Sequence, residues 1–250
     1  MEDRKKKEIE FHNKIRLVSE DQGVSETRWS PGLEKTIQDN ELWRNMAYYA
    51  IERKSRDFIL KLFKDYAPGS VVLDMCCGNG DDSFILAKSG ANKVIGCDIS
   101  DVSLDNCNRR LEAEGLDNVK FEFMDVENMS YSDNMFDLIT EYGALHHVDL
   151  EKTFSEMSRV LKKGGVAICN ETFGHNPVIH LYRKATPELR TEFEADHILK
   201  IKDIKRAKKY FSRVSVNYYH LLTLFAVPFR NTPIFKPCLL YTSPSPRDPL

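Results

Sequence analysis

Apolar and polar positions alternate along the chain with two different periods. From residue 71 onward, short apolar runs have strand character: Val71-Val72-Leu73 before Asp74, then 93–98, 119–125, a run from Phe136 to about Glu141, and 166–170. The stretches between them are helical. Residues 81–88 follow the first run; a helix capped by Ser100 carries Leu104 and Leu111 and stops at Gly115. Another, capped by Asp149, carries Leu150, Phe154, Met157 and Leu161 and stops at Gly164-Gly165. Strands taking turns with helices predict an α/β fold, a mostly parallel sheet with helices on both faces. Upstream, Asn40 can cap a helix through Leu42, Met46, Tyr49 and Ile51, and Phe58, Ile59, Leu62 and Phe63 share one face of a second. Residues 1–65 therefore read as a helical N-terminal cap and 66–237 as the main domain, since 250 residues suffice for one large domain but not two comfortable ones.

The first strand ends in Asp74-Met75-Cys76-Cys77-Gly78-Asn79-Gly80. Two glycines one residue apart allow a tight turn and a close backbone approach to a ligand. Strand, glycine turn and helix make a nucleotide-type pocket. A dinucleotide would set its pyrophosphate on the helix N-terminus and needs a third glycine, but Ser83 stands there. Asp81 and Asp82 in the first turn would repel that phosphate. A sulfonium cation with an α-amino group suits such an acidic mouth, with Asp74 facing the amino-acid part. The expected cofactor is S-adenosylmethionine. Asp98 closes the second strand and can accept both ribose hydroxyls, and Asp125 closes the third and can accept from the adenine amino group, with the Val126 amide beside it.

In these motifs the chain resembles the class I S-adenosylmethionine-dependent methyltransferases, in particular the type 11 small-molecule group. The resemblance covers roughly residues 66–172: Asp74 to Gly80, Asp98, Asp125, the segment 136–148 and Leu161-Lys162-Lys163-Gly164-Gly165-Val166. It implies a Rossmann-like sandwich with strand order 3-2-1-4-5-7-6. Residues 213–224 are the candidate for strand six, nothing remains for strand seven, and the sheet is expected to lack its last strand and to expose an edge beside strand five. The cofactor-binding set so implied is Asp74, Met75, Cys76, Gly78, Gly80, Asp98, Ile99, Asp125, Val126 and Glu141. Cys76-Cys77 departs from the family's usual Gly-Cys, with only a slight reshaping of the loop expected.

Methyl transfer from a sulfonium is an in-line displacement, governed mainly by proximity and orientation. If the acceptor is a hydroxyl, a base helps, and His146, His147 and Glu141 are the candidates, with His175 as a further one. The acceptor is expected to be a small or lipid-linked molecule. The Asp/Asn-Pro-Pro-aromatic clamp of enzymes acting on base amines is replaced by Glu141-Tyr142-Gly143-Ala144, and a net charge of −2 gives no reason to expect nucleic acid. Two other classes stay open: a non-catalytic S-adenosylmethionine-binding partner protein, and a nicotinamide-dependent oxidoreductase.

Residues 174–200 lie where such enzymes keep a substrate-side insertion, and a polar lid is expected there. The spacing of its histidines and carboxylates fits no zinc motif, so no metal site is expected. Residues 200–213 are basic and 214–229 aromatic and apolar; beside a plain solvated face, this pairing fits peripheral contact with an anionic membrane or a lipid-linked substrate. Cysteines without metal or redox spacing, no apolar leader and no spanning segment lead to a cytoplasmic expectation. The tail 238–250 is expected to be artefactual, because 238–248 back-translates into a sequence resembling a transposase adapter used for sequencing libraries.

Overall fold

The computed structural model describes residues 2–19, 30–220 and 222–235. Four helical segments come first: α1 (Asp3–Ser19), α2 (Pro31–Asp39), a 3₁₀ segment (Glu41–Ile51) and α3 (Arg53–Tyr66). The main domain then runs β1 (Val71–Met75), α4 (Asp81–Lys88), β2 (Lys93–Asp98), α5 (Asp101–Glu114), β3 (Val119–Phe123), β4 (Phe136–Tyr142), α6 (Leu150–Val160) and β5 (Leu161–Asn170). Helices α7 (Pro177–Ala185), α8 (Glu192–Asp196) and α9 (Ile201–Ala207) follow, with a 3₁₀ segment at Thr223–Phe229. No helix among the described residues is long and apolar enough to cross a membrane.

The sheet has the order β3-β2-β1-β4-β5, and every pairing is parallel. Successive side chains of a strand point to opposite faces, so apolar neighbours mean that both faces are covered. On one face Val72, Val94, Leu138 and Ile168 pack with Ile59 and Phe63 of α3 and Phe84 and Leu86 of α4. On the other, Leu73, Ile95 and Ile139 pack with Phe154, Met157 and Val160 of α6. A third cluster, Ile15, Leu33, Ile37, Trp43, Ala47 and Tyr49, ties α1, α2 and the 41–51 segment together.

The caps at Ser100 and Asp149 form as expected: Ser100 Oγ accepts from the Ser103 amide at 3.0 Å, and Asp149 Oδ1 from Glu151 at 3.0 Å and Lys152 at 3.2 Å. Four boundaries differ. The 41–51 segment is 3₁₀ rather than α-helical, and Asn40 closes α2. Strand β3 stops at Phe123, which puts Asp125 in the turn beyond it. Helix α6 ends at Val160 instead of reaching the Gly164-Gly165 pair. Leu161 already pairs with Phe136, and the ladder resumes at Val166 opposite Leu138 after an irregularity in which Gly164 has φ 83°. Finally, 213–224 forms no strand: 212–220 is irregular and a 3₁₀ turn starts at Thr223. Among the described residues the sheet thus lacks both strands of the expected terminal hairpin, and β5 is its edge. The tail 238–250 lies outside the described residues.

Candidate active site

The C-terminal ends of β1, β2 and β4 open onto one cleft, the place where open α/β sheets bind ligands. Its walls include Cys76, Asp98, Ile99, Asp125, Val126 and Tyr142, and a neighbouring recess is lined by Asp74, Cys76, Cys77, Gly78 and Asp82. Three acids at or just beyond strand ends, Asp74, Asp98 and Asp125, far apart in sequence, are thereby brought together.

Asp98 organises the glycine turn. Its Oδ2 accepts from the Gly78 amide at 2.9 Å and its Oδ1 from the Ser100 amide at 2.8 Å. Each carboxylate oxygen keeps one lone pair, enough for a diol such as a ribose edge. Gly80 has φ 78° and begins α4; a Cβ there would lie 2.9 Å from the Phe121 ring and 3.0 Å from Cys107 Sγ, so the turn tolerates no side chain at this point. Cys76 also sits in the left-handed region, at φ 51°. The departure from glycine therefore carries backbone strain at this position.

The acids at the helix mouth behave differently from the expectation. Asp82 forms a two-pronged ion pair with Arg56 of α3, one arm measuring 3.0 Å, and both side chains are buried. Asp81 accepts from Arg110 at 2.7 Å. With both carboxylates matched by guanidinium groups, the mouth is not an open field of negative charge, and the repulsion argument against a phosphate loses its force. Ser83, at the position of the missing third glycine, donates to Asp74 Oδ2 at 2.5 Å and so ties α4 to β1. Burial first, and the nearby Asp82 charge second, push Asp74 up to about 8. An ammonium beside it would draw it back to the carboxylate form.

Helix α1 lies along the cleft and contributes Arg4, Lys5, Glu8, His12 and Arg16 to its walls. Lys5 reaches Asp125 at 2.6 Å and Glu127 at 2.9 Å, and Arg4 also pairs with Glu127. Asp125 Oδ1 accepts from the Glu127 amide at 3.0 Å. The expected adenine acceptor is thus already engaged, and an adenine amino group must share it with Lys5 or displace that ammonium.

The histidine pair divides. His147 is on the cleft wall, with Nδ1 2.9 Å from Glu8 Oε2. His146 turns away, with Nδ1 2.8 Å from Glu171 Oε2 and Nε2 3.9 Å from Glu194. Burial opposes a charge on His146, but Glu171 outweighs it and its pKa is raised. Glu141 is fully buried and does not line the cleft. Its Oε2 accepts from the Ala144 amide at 3.0 Å, and burial, reinforced by Glu171, holds its carboxyl well above the usual range. Enclosed in this way, Glu141 is set back from the cleft in which a base or cofactor ligand was expected. Met75 similarly points into the core.

The 174–200 segment packs against both α1 and the 41–51 segment. Thr191 donates to Glu8, Lys7 reaches Glu192 at 2.8 Å, and Asn45 Nδ2 donates to the Leu189 carbonyl at 3.0 Å. The space between Glu141, His146 and this segment is taken up by Glu171 and by Glu194, which Arg183 approaches at 3.1 Å and Arg190 at 3.5 Å. His175 does not line the cleft.

Sequence reasoning missed every cleft residue from α1. That helix shows no apolar stripe to mark a buried face, and only the i, i+4 spacing of Glu8 and His12 hints at a shared one.

Residues 67–217 match the sequence model of the family described as methyltransferase domain. Among curated proteins, the chain is similar to a demethylmenaquinone methyltransferase of Lactococcus lactis, 34% identical over 120 residues, covering 47% of either protein. It is also 37% identical over 111 residues to one of Bacillus cereus, covering 43% of this chain and 47% of that protein. The chain spans about half the length of these relatives. A solved phosphoethanolamine N-methyltransferase 2 of Haemonchus contortus shares the fold, with a TM-score of 0.53 at 22% identity over 64% of this chain and 40% of that one.

Proposed function

Because the chain belongs to the methyltransferase-domain family, we propose that it transfers a methyl group from S-adenosylmethionine to a small apolar or lipid-linked acceptor. The observation that carries this reading is Asp98, anchored by two backbone amides and left with two lone pairs at the cleft where Asp74 and Asp125 also converge. Asp98 would hold the ribose hydroxyls, Ile99 and Val126 would flank the adenine, and the turn from Cys76 to Gly80 with Asp74 would receive the methionine part. The cofactor supplies an electrophilic methyl group. The chain supplies position and a partly dry cleft. Of the four candidate bases only His147 lines the cleft, so it is the one that would take a proton from a hydroxyl acceptor.

The relatives' name, demethylmenaquinone methyltransferase, supports an apolar ring acceptor. Residues 200–229 support delivery from a membrane surface: Lys202, Lys205 and Lys208 are exposed in the basic part of the segment, and Tyr218, Leu222 and Phe225 in the aromatic part. The buried thiols of Cys97 and Cys107 suit a reducing, cytoplasmic setting.

A second reading, cofactor binding without catalysis, is favoured by the ion-pair cluster of Glu171, Arg183, Arg190 and Glu194, which occupies the side where an acceptor was expected. One experiment separates the two. S-adenosylmethionine is titrated calorimetrically into the chain and its Asp98→Ala variant, and labelled methyl transfer to demethylmenaquinone and simpler quinols is then followed. Binding that weakens by ~1.5–3 kcal/mol in the variant, together with label transfer, supports the enzyme. Binding without transfer supports the second reading, and no binding by the folded chain overturns both.

A further inference from the structure

Glu8, His12 and His147 bring one carboxylate oxygen and two imidazole nitrogens within 4.8 Å of one another on the cleft wall. We propose that these three residues bind a divalent first-row transition-metal cation. The ligand set spans two elements with different origins. Glu8 and His12 are four residues apart on α1, which places them one turn apart on the same face. His147 closes the 3₁₀ turn Leu145–His147, on the other side of the cleft in sequence terms and 139 residues away from Glu8.

The geometry is close to that of a three-ligand site. Glu8 Oε2 is 2.9 Å from His147 Nδ1 and 3.7 Å from His12 Nε2. The imidazoles of His12 and His147 meet edge to face at 4.9 Å between centroids. Metal bonds of ~2.0–2.2 Å require donor atoms about 3–3.5 Å apart, so the three donors, all within 4.8 Å of one another, need only side-chain rotations to close on an ion. The carboxylate is held for the task from behind: Thr191 donates its hydroxyl to Glu8 Oε1 and leaves Oε2 facing the two rings. Of the neighbouring cations, Arg4 pairs with Glu127 and Lys5 with Asp125 and Glu127.

Two imidazoles and one carboxylate favour zinc, cobalt, nickel or iron(II) over magnesium and calcium, which prefer all-oxygen shells. With three protein ligands a coordination position stays open toward the cleft. A bound ion would also clamp α1 to the turn after β4. Glu8 and His12 lie outside residues 67–217 and His147 inside them, so two of the three ligands come from this chain's N-terminal region and not from the segment matched by the family. It shares the cleft with the proposed cofactor but does not depend on methyl transfer.

The test uses the full chain after chelator treatment, titrated with Co²⁺ and followed by visible ligand-field absorption and by calorimetry. The expected result is one equivalent bound, displaced by Zn²⁺ and unaffected by a large excess of Mg²⁺. His12→Gln and Glu8→Gln should each weaken Co²⁺ binding at least tenfold and change the absorption spectrum, while His180→Gln on α7 leaves both unchanged. Circular dichroism of each variant confirms folding. Absence of stoichiometric binding, or binding of the same strength and spectrum in the folded His12→Gln and Glu8→Gln variants, as cysteine ligation would give, overturns the proposal. Neither result bears on S-adenosylmethionine affinity, so the functional reading stands or falls separately.

Discussion

Replacing Arg56 with methionine removes the cation that α3 inserts against α4 while keeping most of the aliphatic stem. Arg56 and Asp82 have side chains only 6% and 5% exposed, joined by two hydrogen bonds. The guanidinium also lies 5.5 Å from the centre of the Tyr142 ring and 6.0 Å from that of Phe63. Removing one partner of a buried pair leaves the other charge without compensation and costs ~3–5 kcal/mol. In urea, with an unfolding slope of a few kcal/mol per molar at most, that corresponds to a midpoint lowered by on the order of 2 M. The loss comes from stranding Asp82 next to Asp74, which is itself pushed up partly by the Asp82 charge. Adding Asp82→Asn to Arg56→Met should therefore recover part of it, with a coupling energy of about 2 kcal/mol, inside the range measured for contacting residues. The assay is equilibrium urea unfolding of wild type, both single variants and the double variant. A loss below ~1 kcal/mol for Arg56→Met, or a double variant whose loss is the plain sum of the singles, would refute the view that a buried ion pair fastens the N-terminal cap to the cofactor turn.

Three further outcomes are expected. Cys76→Gly relieves the left-handed backbone strain at φ 51°, worth ~1–2 kcal/mol, against a glycine entropy cost of ~0.5–1 kcal/mol, so a slightly higher urea midpoint should result; a lower one means that the cysteine side chain contributes packing that outweighs the strain. Glu52 is pushed up to about 7, chiefly by burial and despite the Tyr142 hydroxyl and Arg56. The folded state therefore holds its proton more tightly than the unfolded state. Its contribution to stability is fully present below about pH 4.5 and is lost as pH rises through 7, so Glu52→Gln should flatten the fall in urea midpoint measured between pH 5 and 8. Tyr218→Ser with Phe225→Ser, at positions 65% and 54% exposed, should lower co-sedimentation with anionic vesicles several-fold without changing the unfolding midpoint; unchanged sedimentation removes 200–229 as a membrane contact.

The layered fold was legible in the residues because its determinants are local. A buried parallel strand needs an apolar run, a helix start needs a capping side chain, and both leave marks within a few residues, as at Val71 to Leu73 and at Ser100. The cleft-lining acids were legible for the same reason: each closes a strand or follows one, and a parallel sheet carries all strand ends to one edge. Boundaries such as Leu161 were not, since a leucine that ends a helix stripe and one that opens an edge strand have the same local pattern until the partner strand selects its register.

What only the tertiary structure decided is which charges meet. Asp81 and Asp82 look like a negative helix mouth until Arg110 and Arg56 arrive from other elements. His146 and His147 are neighbours in the chain, yet one is directed to Glu171 and the other to Glu8. Glu141 lies near the end of β4 in the way a reactive acid would, but its side chain is in the interior beside Glu171. Hydrophobic burial is set by period and can be read from one segment. Electrostatic pairing depends on distance between segments far apart in sequence, and no local pattern encodes it.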